Sequence, residues 1–565
     1  MAKKVVIIGG VAGGASAAAR LRRLDEQAQI ILFERDNYIS FANCGLPYYI
    51  GGVIENRNAL LIQSPERFKK RFNIDVRVKN EVLKIERKEK QVRVKELTTG
   101  RTYSESYDKL VLSPGAEPVK LPVAGNDSER IFTVRNIPDV DAINTFIDTH
   151  KPKRTVVVGA GYIGLEMAEN LRRRGLLVAI VEMVNQVLPS IDKEMANLLH
   201  HNLQSQNIAL WLNDAVSGFQ QIDSQLIVSL KSGMKLSCDF AILAAGVKPE
   251  VKLAEYAELE ISSTGGIKVN EYLQTNDPDI YALGDAIDVE DFVLGSSCLI
   301  PLAGPANKQG RIVADNICGR AVKYKGTQGT AILKVFDQTV AMTGVSEKTL
   351  KKTDIKYEKL YIHPANHASY YPGVGQMHIK LLFTKPEGKI LGVQIVGHEG
   401  VDKRIDVFAT AIRAGMTVFD LQELELAYAP PYGSGKDPVN MAGYVAANTL
   451  DGTADTIHWD ELDNDEFIID VRTPREFARG NVPGSVNIYV NDLRNKLKEL
   501  PIDKTINAYC TVGVRSYIAC RILQQNGFNV RNLSGGYVTY RSYTSHELLE
   551  AETAQQLKEE FCTGL

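Results

Sequence analysis

The sequence predicts a modular α/β protein, on three observations: two βαβ units with glycine-rich turns, a change of character over residues 320–450, and a restart of strand-and-helix patterning at EFIIDVRTPREF. A chain of 565 residues exceeds one hydrophobic core, and ordinary domain sizes divide it into about three to five units. In the first βαβ unit, residues 3–9 are a β-branched run, residues 11–24 an Ala- and Arg-rich helix, and residues 30–34 a second strand. The second copy has strand TVVVG, helix GYIGLEMAENLRRRG and strand VAIVE, ending at Glu182. Strand-like patches AILKVF and KILGVQIVG then precede a helical stretch over residues 402–411. The segment LDGTADTIHW places the last boundary near residues 452–456.

Composition narrows the function classes. Lys plus Arg (66) nearly balance Asp plus Glu (68), a net charge of −2, so no broad field attracts nucleic acid or an anionic membrane. The opening MAKKVVIIGGVAGGASAAAR has two lysines before small apolar residues, as a secretory leader would, but its glycines and Arg20 fit strand, turn and helix better. No stretch approaches the roughly 18 apolar residues of a membrane span. The seven cysteines Cys44, Cys238, Cys298, Cys318, Cys510, Cys520 and Cys562 show neither disulfide nor metal-type spacing. No metal is expected, and a reducing cytoplasm fits best.

Gly159, Gly161 and Gly164 form GxGxxG between strand and helix, with Tyr162 and Ile163 inside the motif and Glu182 ending the next strand. Such glycines let a pyrophosphate approach the helix N-terminus, and the acid bonds ribose hydroxyls. Glu182 in place of an arginine favours NADH over NADPH. The first unit reads Gly9, Gly10, Val11, Ala12, Gly13, Gly14, so Val11 stands where the middle glycine is expected, and Glu34 ends its second strand. In TNDPDIYALGDA, Gly284 and Asp285 follow an apolar strand.

SFANCGLPYYIGG places Cys44 ten residues past Glu34. With this motif, residues 1–450 resemble the pyridine nucleotide-disulfide oxidoreductases. That resemblance implies FAD in the first unit and NADH or NADPH in the second. It places FAD-domain segments at 1–150 and 269–325, an NAD(P) domain at 151–268 and an α+β dimerisation domain at 326–452, hence a homodimer. It also implies cofactor contacts from Arg35, Asn43, Val82, Ser113, Pro114, Gly115, Gly246, Pro301, Leu302 and Ala303. Many members carry Cys-x4-Cys beside the flavin, but the residue five past Cys44 is Tyr49. The chain is therefore similar to the single-cysteine branch, the coenzyme A disulfide reductases, NADH peroxidases and NADH oxidases, whose thiolate cycles through a mixed disulfide, persulfide or sulfenic acid.

LAYAPPYGSGKDPVNMAGYVAAN stands where dithiol members have a His-Glu pair. It resembles the coenzyme A disulfide reductases, in which a tyrosine reaches the cysteine of the other subunit. That tyrosine is Tyr428, and a second falls at Tyr370 or its neighbour Tyr371 in NHASYYPG. A phenol donates to a developing thiolate. Arg20 and Arg23 share a helix face, a pattern that by spacing alone more often marks solvated arginines than a ligand site. By resemblance, Ser16, Arg20, Arg23, Ser40, Asn43, Asn307 and Lys436 hold coenzyme A.

Residues 456–553 resemble a single-domain rhodanese, through FIIDVRTPREFARGNVPGSVNI, NAYCTVGVRSYIACRIL and LSGGY. Cys510 opens the loop CTVGVR before a helix, where backbone N–H groups stabilise a persulfide, Gly513 lets the loop curl and Arg515 braces it. The loop lacks the extra basic residues of some thiosulfate sulfurtransferases, so small persulfides fit better as donors. The expected activity is FAD-dependent NAD(P)H reduction of coenzyme A persulfide, coenzyme A disulfide or polysulfide at Cys44, with Cys510 delivering sulfane sulfur. The alternatives are an NADH oxidase or peroxidase using a Cys44 sulfenic acid, and a sulfur sensor.

Overall fold

The computed structural model describes residues 3–463, 466–548 and 552–562. The segment expected to be rhodanese-like crosses residues 464–465 and 549–551, which lie outside the described residues. The chain divides into two compact units, one of residues 1–183, 214–329 and 561–565, the other of residues 184–213 and 330–560.

In the first unit, strands Ile280–Ala282, Lys109–Leu112, Lys4–Ile8, Gln29–Glu34 and Asp75–Val78 lie side by side in that order, every pair parallel. The central strands are nearly uninterrupted apolar runs, KVVII and KLVL, as strands covered on both faces must be. A second parallel set runs Ile131–Phe132, Phe240–Leu243, Arg154–Val158 and Leu177–Val181. Parallel strands all point the same way, so the turns after Lys4–Ile8, Lys109–Leu112 and Ile280–Ala282 emerge at one edge of their sheet. Helix Ala12–Leu24 packs on helix Ala303–Ile317. A Cβ on Gly310 would lie 2.4 Å from Gly13 O, so only glycine permits this approach.

The second unit holds an antiparallel sheet, Ala331–Val335, Gln338–Gly344, Ile390–Gly397, His378–Thr384 and Tyr357–Ile362 in spatial order, with helices Val401–Ala414 and Pro438–Leu450. It also holds a parallel sheet, Thr456–Ile457, Val530–Leu533, Ile506–Tyr509, Phe467–Asp470 and Val486–Asn487. The two are fastened: Ser534 Oγ accepts from Tyr361 N at 3.1 Å, and the His363 ring lies 2.7 Å from Thr539 Oγ1.

Beneath this junction Lys380 is fully buried, its ammonium 2.9 Å from Asp192, 2.5 Å from Glu194 and 2.5 Å from Glu347. Burial alone would depress this ammonium, and the three carboxylates overcome it and raise the pKa. The trio has metal-ligand spacing, but Lys380 is the cation it surrounds. No helix among the described residues is long and apolar enough to cross a membrane.

Candidate active site

Both glycine turns depend on left-handed backbone. Gly9 has φ +96°, and a Cβ there would sit 2.0 Å from Ser113 O, while one on Gly14 would sit 1.9 Å from Gly9 O. Val11, where the middle glycine is expected, has φ −92°, outside the left-handed region that favours glycine. Glu34 accepts from Gly10 N at 2.9 Å and Asp36 N at 3.0 Å. Burial pushes its carboxyl up against these bonds. Gly10, Ala12 and Gly13 complete the turn, and a Cβ on Gly13 would lie 2.1 Å from Leu283 Cδ1. Ser113, Pro114 and Gly115 follow strand Lys109–Leu112, Gly246 follows strand Phe240–Leu243, and Gly284 and Asp285 follow strand Ile280–Ala282. Pro301 and Leu302 lead into Ala303 at the start of helix Ala303–Ile317. Arg35 is held by Glu250 at 2.5 and 2.8 Å. Val82 is buried in strand Asn80–Glu86.

Asp285 is half-buried and accepts no hydrogen bond from the described residues. Burial raises its carboxyl, opposed by Arg135. An unpaired carboxyl, two helix N-termini and Glu34 at one strand edge fit FAD, whose pyrophosphate the N–H groups would take and whose ribose Glu34 would bond. The second turn repeats the plan. Gly159 has φ +100°, and a Cβ on Gly164 would meet Gly159 O at 2.0 Å. Gly161 faces open space, and Ala160 N donates to Glu182 at 2.7 Å. Tyr162 and the exposed Ile163 begin the helix Tyr162–Arg173. This geometry fits a nicotinamide dinucleotide.

Cys44 lies in the turn Asn43–Gly45, just before helix Leu46–Ile50. Both it and Asn43 are exposed, and Ser40 upstream has φ +46°. Tyr48, one helical turn on, donates to Glu166 Oε1 at 3.2 Å. Burial, with a smaller push from Glu169, carries Glu166 up to about 7. The protein around Cys44, exposed though the residue is by area, desolvates its thiol and raises it, and Glu166 and Asp285 add to the rise.

The expected coenzyme A residues on the first unit fall into two groups. Ser16 Oγ donates to Asn307 Oδ1, and Arg20 Nη2 is bonded to Asp315 at 2.8 Å. Arg20 therefore does not share Arg23's freedom, because Asp315 already neutralises it, whereas Arg23 is exposed. In the second unit, Tyr370 and Tyr428 meet hydroxyl to hydroxyl at 3.0 Å on an exposed surface, with Tyr370 73% exposed. Tyr371 instead sets its ring against His367, centroids 5.6 Å apart. Lys436 is exposed.

Cys510 is buried at the end of strand Ile506–Tyr509. Gly513, with φ +96°, caps helix Val514–Gln525 and donates its N–H to Cys510 Sγ at 3.2 Å. Ser516 Oγ adds a 3.6 Å contact to the same sulfur. Arg515 binds Glu476 through both nitrogens, at 2.9 and 2.7 Å, and Thr511 Oγ1 at 2.8 Å.

Residues 3–310 match the pyridine nucleotide-disulphide oxidoreductase family, residues 330–436 its dimerisation domain, and residues 455–543 the rhodanese-like domain. The chain belongs to the pyridine nucleotide-disulphide oxidoreductases. This oxidoreductase is 39% identical over 445 residues to a coenzyme A disulfide reductase of Staphylococcus haemolyticus (strain JCSC1435), covering 79% of this chain and 99% of that protein. Among solved structures, reduced Bacillus anthracis CoADR-RHD is 51% identical with a TM-score of 0.95, over 97% of this chain and 99% of that one. A NAD-dependent persulfide reductase from A. fulgidus is 37% identical with a TM-score of 0.90, over 95% and 100%. These similarities bear out the expected fold class and the resemblance read from SFANCGLPYYIGG and CTVGVR.

The sequence motifs assign no role to four residues of this pyridine nucleotide-disulphide oxidoreductase: Tyr48 and Glu166 near Cys44, and Ser516 and Glu476 near Cys510. Only Glu476 had a local signal. It closes the capping box Thr473-x-x-Glu476, a pattern readable from sequence as a helix start.

Proposed function

We propose that this oxidoreductase uses NAD(P)H and FAD to reduce the sulfur–sulfur bond of coenzyme A disulfide and coenzyme A persulfide at Cys44. The observation that carries the reading is the lone exposed Cys44 beside the first dinucleotide turn, with Tyr49 where a partner cysteine would stand. Similarity to coenzyme A disulfide reductase and persulfide reductase supports the substrate class. Polysulfide is a further acceptor with the same bond. Gly9–Gly14, Glu34 and Asp285 would hold FAD and Gly159–Gly164 and Glu182 a nicotinamide, NADH preferred, and the bound pair would supply a two-electron relay to Cys44.

The chain's own residues do the rest. The Cys44 thiolate attacks one sulfur of the disulfide, forming a Cys44 mixed disulfide and releasing coenzyme A thiolate. In a homodimer, Tyr428, steadied by Tyr370, donates its phenolic proton to the thiolate leaving at the partner subunit's Cys44. Ser16, Ser40, Asn43 and Asn307 orient coenzyme A, and Arg23 and Lys436, the unneutralised cations of the set, take its phosphates. Cys510 accepts sulfane sulfur and passes it to a small thiol that carries it to Cys44.

The test is a pair of variants. Cys44→Ser retains FAD but loses NAD(P)H-dependent reduction of coenzyme A disulfide by about a thousandfold or more. Cys510→Ser retains that reduction and loses only sulfur delivered through the rhodanese-like domain. Wild-type turnover in Cys44→Ser would sink the reading.

A further inference from the structure

Arg515 is the only cation in the loop from Cys510 to Arg515, and it carries its charge to the edge of the sulfur site. Glu476 raises the guanidinium pKa most, burial opposes that rise, and Cys510 adds a smaller one. A guanidinium there would ordinarily attract anions to the sulfur. Here it is already engaged. Glu476 meets it in a bidentate pair at 2.9 and 2.7 Å, and Thr511 Oγ1 closes the triangle, accepting from Arg515 at 2.8 Å and donating to Glu476 at 3.1 Å. Glu476 is fixed in turn by Thr473, whose N–H and hydroxyl both donate to Oε2, at 3.0 and 2.7 Å. The remaining exposed residues of this loop and helix turn, Val514 and Ile518, are aliphatic. With Cys510 as thiolate, the three groups Cys510, Arg515 and Glu476 sum to one negative charge.

We infer that Glu476, by engaging Arg515, is a specificity residue that admits donors whose sulfane end carries at most one negative charge and turns away dianions such as thiosulfate. This rests on the reading that Cys510 accepts sulfane sulfur. The step is an exchange without net redox change. The Cys510 thiolate bonds to the outer sulfur of R–S–SH, the donor S–S bond breaks, Cys510 becomes a persulfide that keeps the proton, and R–S⁻ leaves. Thiosulfate would react likewise and release sulfite, but it must bring two charges to a site already net negative. Glu476 acts through Arg515, so it is a positioning residue.

The experiment follows sulfur loading of Cys510 by intact mass in the FAD-loaded full chain, with glutathione persulfide and thiosulfate as separate donors. Wild type loads at least about tenfold faster from the persulfide, the factor that about 1.4 kcal/mol makes. Glu476→Gln speeds thiosulfate loading about tenfold and leaves persulfide loading within about twofold. Adding Arg515→Gln removes the thiosulfate gain, an outcome that simple loosening of the loop would not produce. Equal wild-type rates, a parallel change for both donors in Glu476→Gln, or a thiosulfate gain that survives Arg515→Gln each overturn the charge filter alone. No loading from either donor in wild type sinks the sulfur-accepting role of Cys510 and the filter with it.

Discussion

Cys44 is exposed and looks toward carboxylates, whereas Cys510 is buried, accepts a backbone N–H and has a guanidinium beside it. The protein around Cys44 holds the proton on the sulfur, through desolvation first and then Glu166 and Asp285. The Cys510 sulfur instead accepts from Gly513 N–H at 3.2 Å and is contacted by Ser516 Oγ at 3.6 Å. The difference teaches where each reactivity comes from. At Cys510 the cradle is built from adjacent chain and is ready in the fold. At Cys44 the chain supplies exposure and a place in the turn, and in the mechanism proposed above the rest falls to what would be brought there: a bound dinucleotide, a substrate and a phenol that protonates the leaving thiolate.

The sharpest way to break this comparison is to remove that donor. Tyr428→Phe lowers steady-state reduction of coenzyme A disulfide by about a hundredfold, while Cys510 loads sulfur at the wild-type rate. Heterodimers mixing it with Cys44→Ser regain activity once subunits exchange. A matching loss at Cys510, or no recovery after demonstrated exchange, would show that the sulfurs are not separately served.

The two sites differed in legibility for the same reason. The fold could be read because its information is local: β-branched runs such as KVVII and TVVVG, glycine turns and apolar helix faces sit within a few residues of one another. Cys44, Cys510, Glu34 and Glu182 were likewise marked by short motifs. Their partners were not. Glu166 meets Tyr48 from 118 positions away, Asp315 takes Arg20 from 295, and Glu476 takes Arg515 from 39. Helical spacing showed that Arg20 and Arg23 share a face, but it carries no sign of a carboxylate arriving from another helix. The choice between Tyr370 and Tyr371 was open in sequence because adjacent residues differ only in direction. The fold turns Tyr370 to Tyr428 and Tyr371 to His367.

A smaller effect sharpens the Cys510 side. Gly513→Ala forces a Cβ onto φ +96°, at about 1–3 kcal/mol, and displaces the N–H that meets the sulfur. Loading of Cys510 falls and the melting temperature drops, while reduction of coenzyme A disulfide persists. Unchanged loading would show that the cradle does not depend on this turn.

The smallest effect is on the Cys44 side and depends on pH. Glu166→Gln removes one group that raises the Cys44 thiol, so the pH midpoint of Cys44 alkylation moves down. The same substitution has a stability signature. The folded Glu166 carboxyl sits up at about 7 against an ordinary 4.5, so the fold binds this proton more tightly than the unfolded chain. Its stabilising contribution is full below 4.5 and is lost as pH rises through about 7. The melting temperature of the variant minus that of wild type is therefore more positive at pH 8 than at pH 5. A pH-independent difference would place Glu166 in water.

The ammonium of Lys380, enclosed by Asp192, Glu194 and Glu347, also makes a chemical clock. Reagents that acylate amines read surface lysines within minutes, but this nitrogen has no accessible face and is held protonated, hence non-nucleophilic. It becomes labelled only when the second unit opens. At reagent concentrations where acylation outpaces reclosing, the rate at which a peptide carrying acylated Lys380 accumulates counts opening events in the native protein without denaturant.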